Sequence, residues 1–298
     1  MASSPPNPAE ALLRHLDWTV LKRLDGLLQG DVRTLAYGRG LDFADLRDYE
    51  PTDDVRHIDW NATARFNRPH VRQFLEDRDH TAWFLVDRSA SMAFGPDGRT
   101  KADVLAEFVS SMAMLLTRAG NRVGAVLWNN RHDLTVPPGR SRNQVLRLAD
   151  ALLAPPLDAD GPTDLGGLVE LGRRTVQRRS LVFVVSDFIS EPGWEDELGA
   201  LAHRHDVVAI RLVDPTEIEL PGAGVIVLED PETGEQLEID TDDPGFRARF
   251  ATAARTRADD LDAAIRGAGG DAYAVSTDDD LVESIAAIAD RRRRRSTA

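Results

Sequence analysis

The chain has 298 residues, with a hydrophobic fraction of 42% and a charged fraction of 29%, enough for one large or two modest globular domains. A formal net charge of −14 disfavours general nucleic-acid binding and adsorption to anionic membranes, and favours basic, metal-bridged or locally complementary partners. With no cysteine, disulfides, thiolate metal sites and cysteine nucleophiles are excluded.

The amino-terminal Met-Ala-Ser-Ser-Pro-Pro-Asn-Pro lacks the basic and apolar regions of an export signal. No uncharged apolar run reaches the roughly 18 to 20 residues that a membrane helix needs. The expectation is a cytoplasmic protein without membrane insertion. Leu12, Leu13, Leu16, Val20, Leu24 and Leu27 recur at helical spacing, which predicts an amphipathic helix closing near Gly30 and packing on the main domain.

Residues 37–74 are dense in charge, glycine and aromatics but poor in periodicity. Such a stretch is either functional or disordered, and its Tyr, Trp, Phe and Ile content argues for order. Arg39, Arg47, Arg56 and Arg65 alternate with Asp42, Asp48, Asp54 and Asp59. That pattern suits a structural polar network, with Arg47, Arg56 and Arg65 as the partner-binding candidates.

From Val71 onward the pattern predicts a short strand at 71–75 and another from Trp83 to Asp87. A helix at 101–118 and strands at 123–129 and 132–136 follow, then helices at 143–153 and 164–178. Next come the most apolar strand, 180–186, a helix at 195–204 and a strand at 207–213. A hairpin of 225–229 with 236–240 is expected on one sheet edge. A helix at 246–266, a strand at 272–276 and a helix at 279–291 complete the chain. Continuous apolar strands alternating with amphipathic helices indicate an α/β fold with a mostly parallel sheet and helices on both faces. Arg291 to Arg295 read as a basic tail favouring the negative end of the last helix dipole, otherwise solvated.

The chemistry centres on Thr81 to Met92, where an apolar run stops at Asp87 and hydroxyls follow at Ser89 and Ser91. In an open α/β sheet ligands bind beyond the carboxyl ends of the strands, so these three oxygens suggest a Mg²⁺-type site. The same residues also suit a turn that caps the next helix. Thr163 stands before a predicted helix, where it also suits an N-cap, and Asp187 ends the most apolar strand. Together, two carboxylates and three hydroxyls suit an octahedral Mg²⁺ or Mn²⁺ that keeps water. With only two anions the ion stays electron-poor and accepts a carboxylate from another molecule.

Asp87-x-Ser89-x-Ser91 with Thr163 and Asp187 resembles the metal-ion-dependent adhesion site of von Willebrand factor A domains. The resemblance implies Ser89, Ser91 and Thr163 as direct or near-direct ligands, Asp87 and Asp187 as direct or water-mediated ones, and a partner's Asp or Glu completing the coordination. Gly38-x-Gly40-x-Asp42-Phe43, Arg47-x-Tyr49, Asp53-Asp54-x-Arg56-x-Ile58-Asp59-Trp60 and Ala64-Arg65 are similar to the signature of a bacterial domain-of-unknown-function family that carries such a segment before a von Willebrand A-like domain. Members of that family are commonly encoded beside MoxR-type AAA+ ATPases, which implies such an ATPase as partner. Thr52, where a glycine is expected, and the Gly-Pro-Thr order at 161–163 depart from the pattern.

The expected organisation is an N-terminal helix and linker at 1–36, the family-specific segment at 37–80, a Rossmann-like von Willebrand A-like domain at 81–290, and the basic tail at 291–298. The expected function is a non-enzymatic, metal-dependent adaptor working with the ATPase in complex assembly or chaperone-like remodelling. The alternative is a metal-dependent hydrolase or nuclease using Asp87. Against the enzyme reading, a dehalogenase-type phosphatase needs a carboxylate where Ser89 stands, and Gly-x-Ser-x-Gly, Walker-lysine and His-Glu-x-x-His motifs are missing.

Overall fold

Asn7 accepts the Ala9 N–H and caps the first helix, α1 (Pro8–Leu16), which a π turn (Asp17–Leu21) joins to α2 (Lys22–Leu28). The structure is a computed structural model, described for residues 7–28, 45–50, 58, 60, 63, 65, 68–73, 81–95, 98–130, 132–155, 162–229 and 235–297. Of the predicted stripe, Leu13, Leu16, Val20 and Leu24 are buried, joined by Leu21, whereas Leu27 is exposed. The expected closure at Gly30 lies outside the described residues.

Strands β1 (Asp45–Asp48) and β2 (His70–Gln73) form an antiparallel ribbon with Arg47 opposite Val71. Arg39, Asp42, Asp54, Arg56 and Asp59 of the proposed polar network lie outside the described residues, and Arg65 is exposed. Asp48 Oδ1 lies 3.4 Å from His70 Nδ1.

The main body runs β3 (Thr81–Asp87), a 3₁₀ turn (Ala90–Ala93), α3 (Lys101–Arg118), β4 (Arg122–Asn129), β5 (His132–Gly139), α4 (Arg142–Leu153), α5 (Leu165–Thr175), β6 (Leu181–Ser186), α6 (Trp194–Ala202), β7 (Asp206–Val213), β8 (Val225–Glu229), β9 (Gln236–Asp240), α7 (Pro244–Gly267), β10 (Asp271–Ser276) and α8 (Leu281–Thr297). One six-stranded sheet has the order β10-β7-β6-β3-β4-β5, parallel except for β5, which is antiparallel at its edge. The expected α/β fold is therefore observed.

Alternation along the strands divides the core. Phe84 and Val86 of β3 face a layer formed by α1, α2, α3, α4 and α8, with Phe84 stacked on Phe183 at 5.1 Å between ring centroids. Trp83 and Leu85 face the opposite layer of α5, α6 and the end of α7. Each large aliphatic or aromatic side chain removed from water contributes about 1.5–3 kcal/mol. The central strands β3 and β6, buried on both faces, are thus a firmly held support for a site at their ends.

Two expectations are corrected. The β8–β9 hairpin forms at the predicted residues, but as a separate two-stranded sheet rather than an addition to the main edge. Residues 291–295 continue α8 instead of forming a tail. Arg292 is buried against Asp206 at 2.5 Å and Asp271 at 3.4 Å, and Arg295 pairs with Asp271. Arg293 and Arg294 meet Asp290 at the i,i+3 and i,i+4 spacings that a helix brings together.

Candidate functional site

Register explains how the two aspartates come together. Val86 pairs with Val185, which sets Asp87 beside Ser186 and puts Asp187 just past the end of β6, on the carboxyl edge of the sheet. Both carboxylates are buried. Asp87 Oδ1 accepts the Ser89 N–H at 2.9 Å, and Oδ2 accepts the Ser186 hydroxyl at 2.6 Å. The expected turn does exist, then, but it occupies one oxygen of Asp87. The Ser89 side chain caps nothing: it stands before the 3₁₀ turn without a capping bond, and its Oγ lies 3.1 Å from Ser91 Oγ.

Three further loops are bonded to one another on the same edge of the sheet. Thr163 is fully buried, and its carbonyl accepts the Ser190 hydroxyl at 2.7 Å and the Glu191 N–H at 3.1 Å, binding its loop to the one that follows Asp187. The cap of α5 is Asp164, which accepts the Gly167 N–H at 2.8 Å, so Thr163 is not the helix cap. Asn130, in the left-handed region at φ 51°, holds the same loop from the β4–β5 turn through Pro162 O at 2.9 Å and Asp164 N at 3.0 Å. Phe188 is also left-handed at φ 60°, a conformation disfavoured for a bulky side chain, and its ring packs on Trp194. Its N–H reaches Ser186 Oγ at 2.9 Å, and the Ile189 N–H reaches Asp187 Oδ1 at 3.0 Å.

Sequence reasoning missed Lys101. A reciprocal capping box between Thr100 and Asp103 starts α3 and puts Lys101 at its first position. Its side chain is fully buried, and Nζ donates to Asp187 Oδ2 and Glu217 Oε1, each at 2.7 Å. Glu217 itself completes the capping box of the 3₁₀ turn after β7 by accepting the N–H of its cap, Asp214, at 2.9 Å. The one signal available in the sequence was scarcity, since Lys101 is one of two lysines in a chain otherwise supplied with arginine. Ser186 was also missed, although it directly precedes Asp187.

Charge is finely balanced here. Burial, followed by the nearby Asp187 charge, pushes the Asp87 carboxyl up to about 6 against the bonds from Ser186 and Ser89. Burial pulls the Lys101 ammonium down, but Asp187 and Glu217 outweigh it and hold its pKa above the ordinary value.

The donor set fits a small hard divalent cation. Two ligands at right angles on an octahedral Mg²⁺, each 2.0–2.1 Å from the ion, are about 3 Å apart. Ser89 and Ser91 Oγ already have nearly that separation, at 3.1 Å. Ser89, Ser91 and Thr163 with Asp87 and Asp187 would hold such an ion, with Lys101 claiming one oxygen of Asp187. No group of three or more His, Cys, Asp or Glu suited to a metal occurs among the described residues, and the donors named here are mostly hydroxyls. Of the partner-binding arginines, Arg47 is on β1, Arg65 is exposed, and Arg56 lies outside the described residues.

The profile of a protein family of unknown function, DUF58, matches residues 45–260, well over half of the chain. The chain belongs to the DUF58 family. This DUF58 chain is 38% identical over 285 residues to the uncharacterized protein Rv1480 of Mycobacterium tuberculosis, covering 95% of the chain and 90% of the relative. It is also 38% identical over 135 residues to the uncharacterized protein MAV169 of Mycobacterium avium, covering 45% and 79%. Among solved structures, an aerotolerance-related membrane protein of Bacteroides fragilis aligns with a TM-score of 0.49 at 14% identity, covering 72% of this chain and 99% of that one. The SpRpn10 VWA domain aligns with a TM-score of 0.38 at 13% identity, covering 70% and 94%. Likenesses this distant say nothing about function. No helix among the described residues is long and apolar enough to cross a membrane.

Proposed function

We propose that this DUF58 protein is a non-enzymatic, protein-binding adaptor with a von Willebrand A-like body, whose Asp87 site holds Mg²⁺ or Mn²⁺ and captures a partner's Asp or Glu. The observation that carries this reading is the pair of buried hydroxyls, Ser89 and Ser91, set 3.1 Å apart beside Asp87 on the carboxyl edge of the sheet. The ion supplies a Lewis-acidic centre attractive to an external carboxylate. The chain's own residues orient the donors and fix the loops.

The rim supports docking as well. Phe94 and Ile189, on the loops after Ser91 and Asp187, are 37% and 45% exposed, so apolar contact is available beside the charged centre. The partner we expect, from the resemblance of residues 38–65 to a family encoded beside them, is a MoxR-type AAA+ ATPase, with the pair acting in complex assembly or remodelling.

The test is a pulldown of such an ATPase by the purified protein, with and without EDTA. Capture that is lost in EDTA, restored by Mg²⁺ and absent in Asp87→Ala is expected. Capture indifferent to both treatments would overturn the reading.

A further inference from the structure

Lys101 is expensive where it stands. An ammonium at the first position of α3 faces the positive end of the helix dipole, and its full burial removes it from water. Two carboxylates at 2.7 Å offset these costs, and one of them, Asp187, belongs to the candidate ion site. Arginine would not substitute: its planar fork spreads the charge, whereas the ammonium is a compact point charge resembling a small cation.

From this geometry we infer that Lys101 is a built-in competitor of the divalent ion, neutralising Asp187 in the ion-free protein and weakening the ion so that firm retention requires the partner's carboxylate. The inference rests on the metal reading above. Its logic is charge counting. Asp87 (when ionised), Asp187 and Glu217 against Lys101 leave the site two negative charges in excess, and removal of the ammonium leaves three. The added negative charge, and the loss of a like charge beside the ion, both favour the ion. Glu217 acts in the opposite sense: it binds the ammonium from the turn after β7, and its loss leaves the Lys101 charge less compensated.

The experiment is Mn²⁺ binding by calorimetry on the purified full chain, comparing wild type, Lys101→Met, Glu217→Gln and Asp87→Ala. Lys101→Met is expected to bind Mn²⁺ at least about tenfold tighter, and Glu217→Gln several-fold weaker, than wild type. A wild type that binds Mn²⁺ through Asp87, with Lys101→Met equal or weaker, would overturn competition and leave the metal reading standing. No Asp87-dependent binding in any of the folded proteins would overturn both. If Lys101→Met folds only with Mn²⁺ present, the ion is replacing the ammonium, as inferred. Should it not fold at all, Glu217→Gln decides, and unchanged or tighter binding refutes the inference.

Discussion

Ser186 donates its hydroxyl to Asp87 Oδ2 at 2.6 Å while its own oxygen receives the Phe188 N–H at 2.9 Å, so one buried side chain connects the ends of β3 and β6. Replacing it with alanine leaves a buried carboxylate oxygen and a backbone N–H without partners. Ser186→Ala is expected to lower unfolding free energy by about 1–3 kcal/mol, the usual cost of an unsatisfied buried group. Urea denaturation followed by circular dichroism checks it, and a loss under about 0.5 kcal/mol would deny the link its structural role.

An ion bound only by the folded state stabilises it by mass action, by about 2.7 kcal/mol at a hundredfold excess over the dissociation constant. Wild type should therefore melt at a higher temperature in Mg²⁺ than in EDTA. Asp87→Asn, which keeps the size of the side chain and removes its charge, should show little or no difference. Equal shifts in both proteins would place the ion elsewhere.

Arg292 reaches back from the last turns of α8 to the starts of β7 and β10, and only 3% of its side chain is exposed. Removing the buried guanidinium leaves Asp206 without this partner, while Asp271 keeps Arg295. Arg292→Met is expected to cost about 3–5 kcal/mol, whereas Arg293→Met, exposed and paired with Asp290, should cost less than about 1. Comparable losses in thermal or urea unfolding would restore the solvated-tail reading.

His205 is buried, and neither ring nitrogen has a hydrogen-bond partner among the described residues. Burial, then the Arg204 and Arg179 charges, hold its pKa below the ordinary 6.5. The unfolded chain thus takes up the proton first. The histidine's contribution is constant above about pH 6.5, and stability falls as pH drops through that value toward the lower folded-state pKa. A pH series of melting temperatures should show His205→Leu losing less stability on the acid side than wild type. Identical acid slopes would contradict the shift.

Local pattern made much of this fold legible. The apolar runs ending at Asp87 and Ser186 form central strands because a strand buried on both faces needs apolar residues throughout. The turn chemistry at Pro231 to Gly234 located the β8–β9 hairpin, yet nothing local indicated whether that hairpin would join the main sheet, since edge pairing depends on a distant strand. The five consecutive arginines looked solvated for the same reason: Asp206 and Asp271, which bury Arg292, come from other strands.

The sequence by itself determined the mostly parallel α/β architecture and pointed to Asp87, Ser89, Ser91, Thr163 and Asp187 as candidate oxygen donors, because apolar periodicity and a strand's end are properties of short stretches. Only the tertiary structure decided the electrostatic state of that site. Lys101 meets Asp187 across 86 positions and Glu217 across 116, and Ser186 meets Asp87 across 99. Coulombic balance among buried groups depends on distance in space, and at such separations along the chain it is set by the register of β3 against β6 and the start of α3.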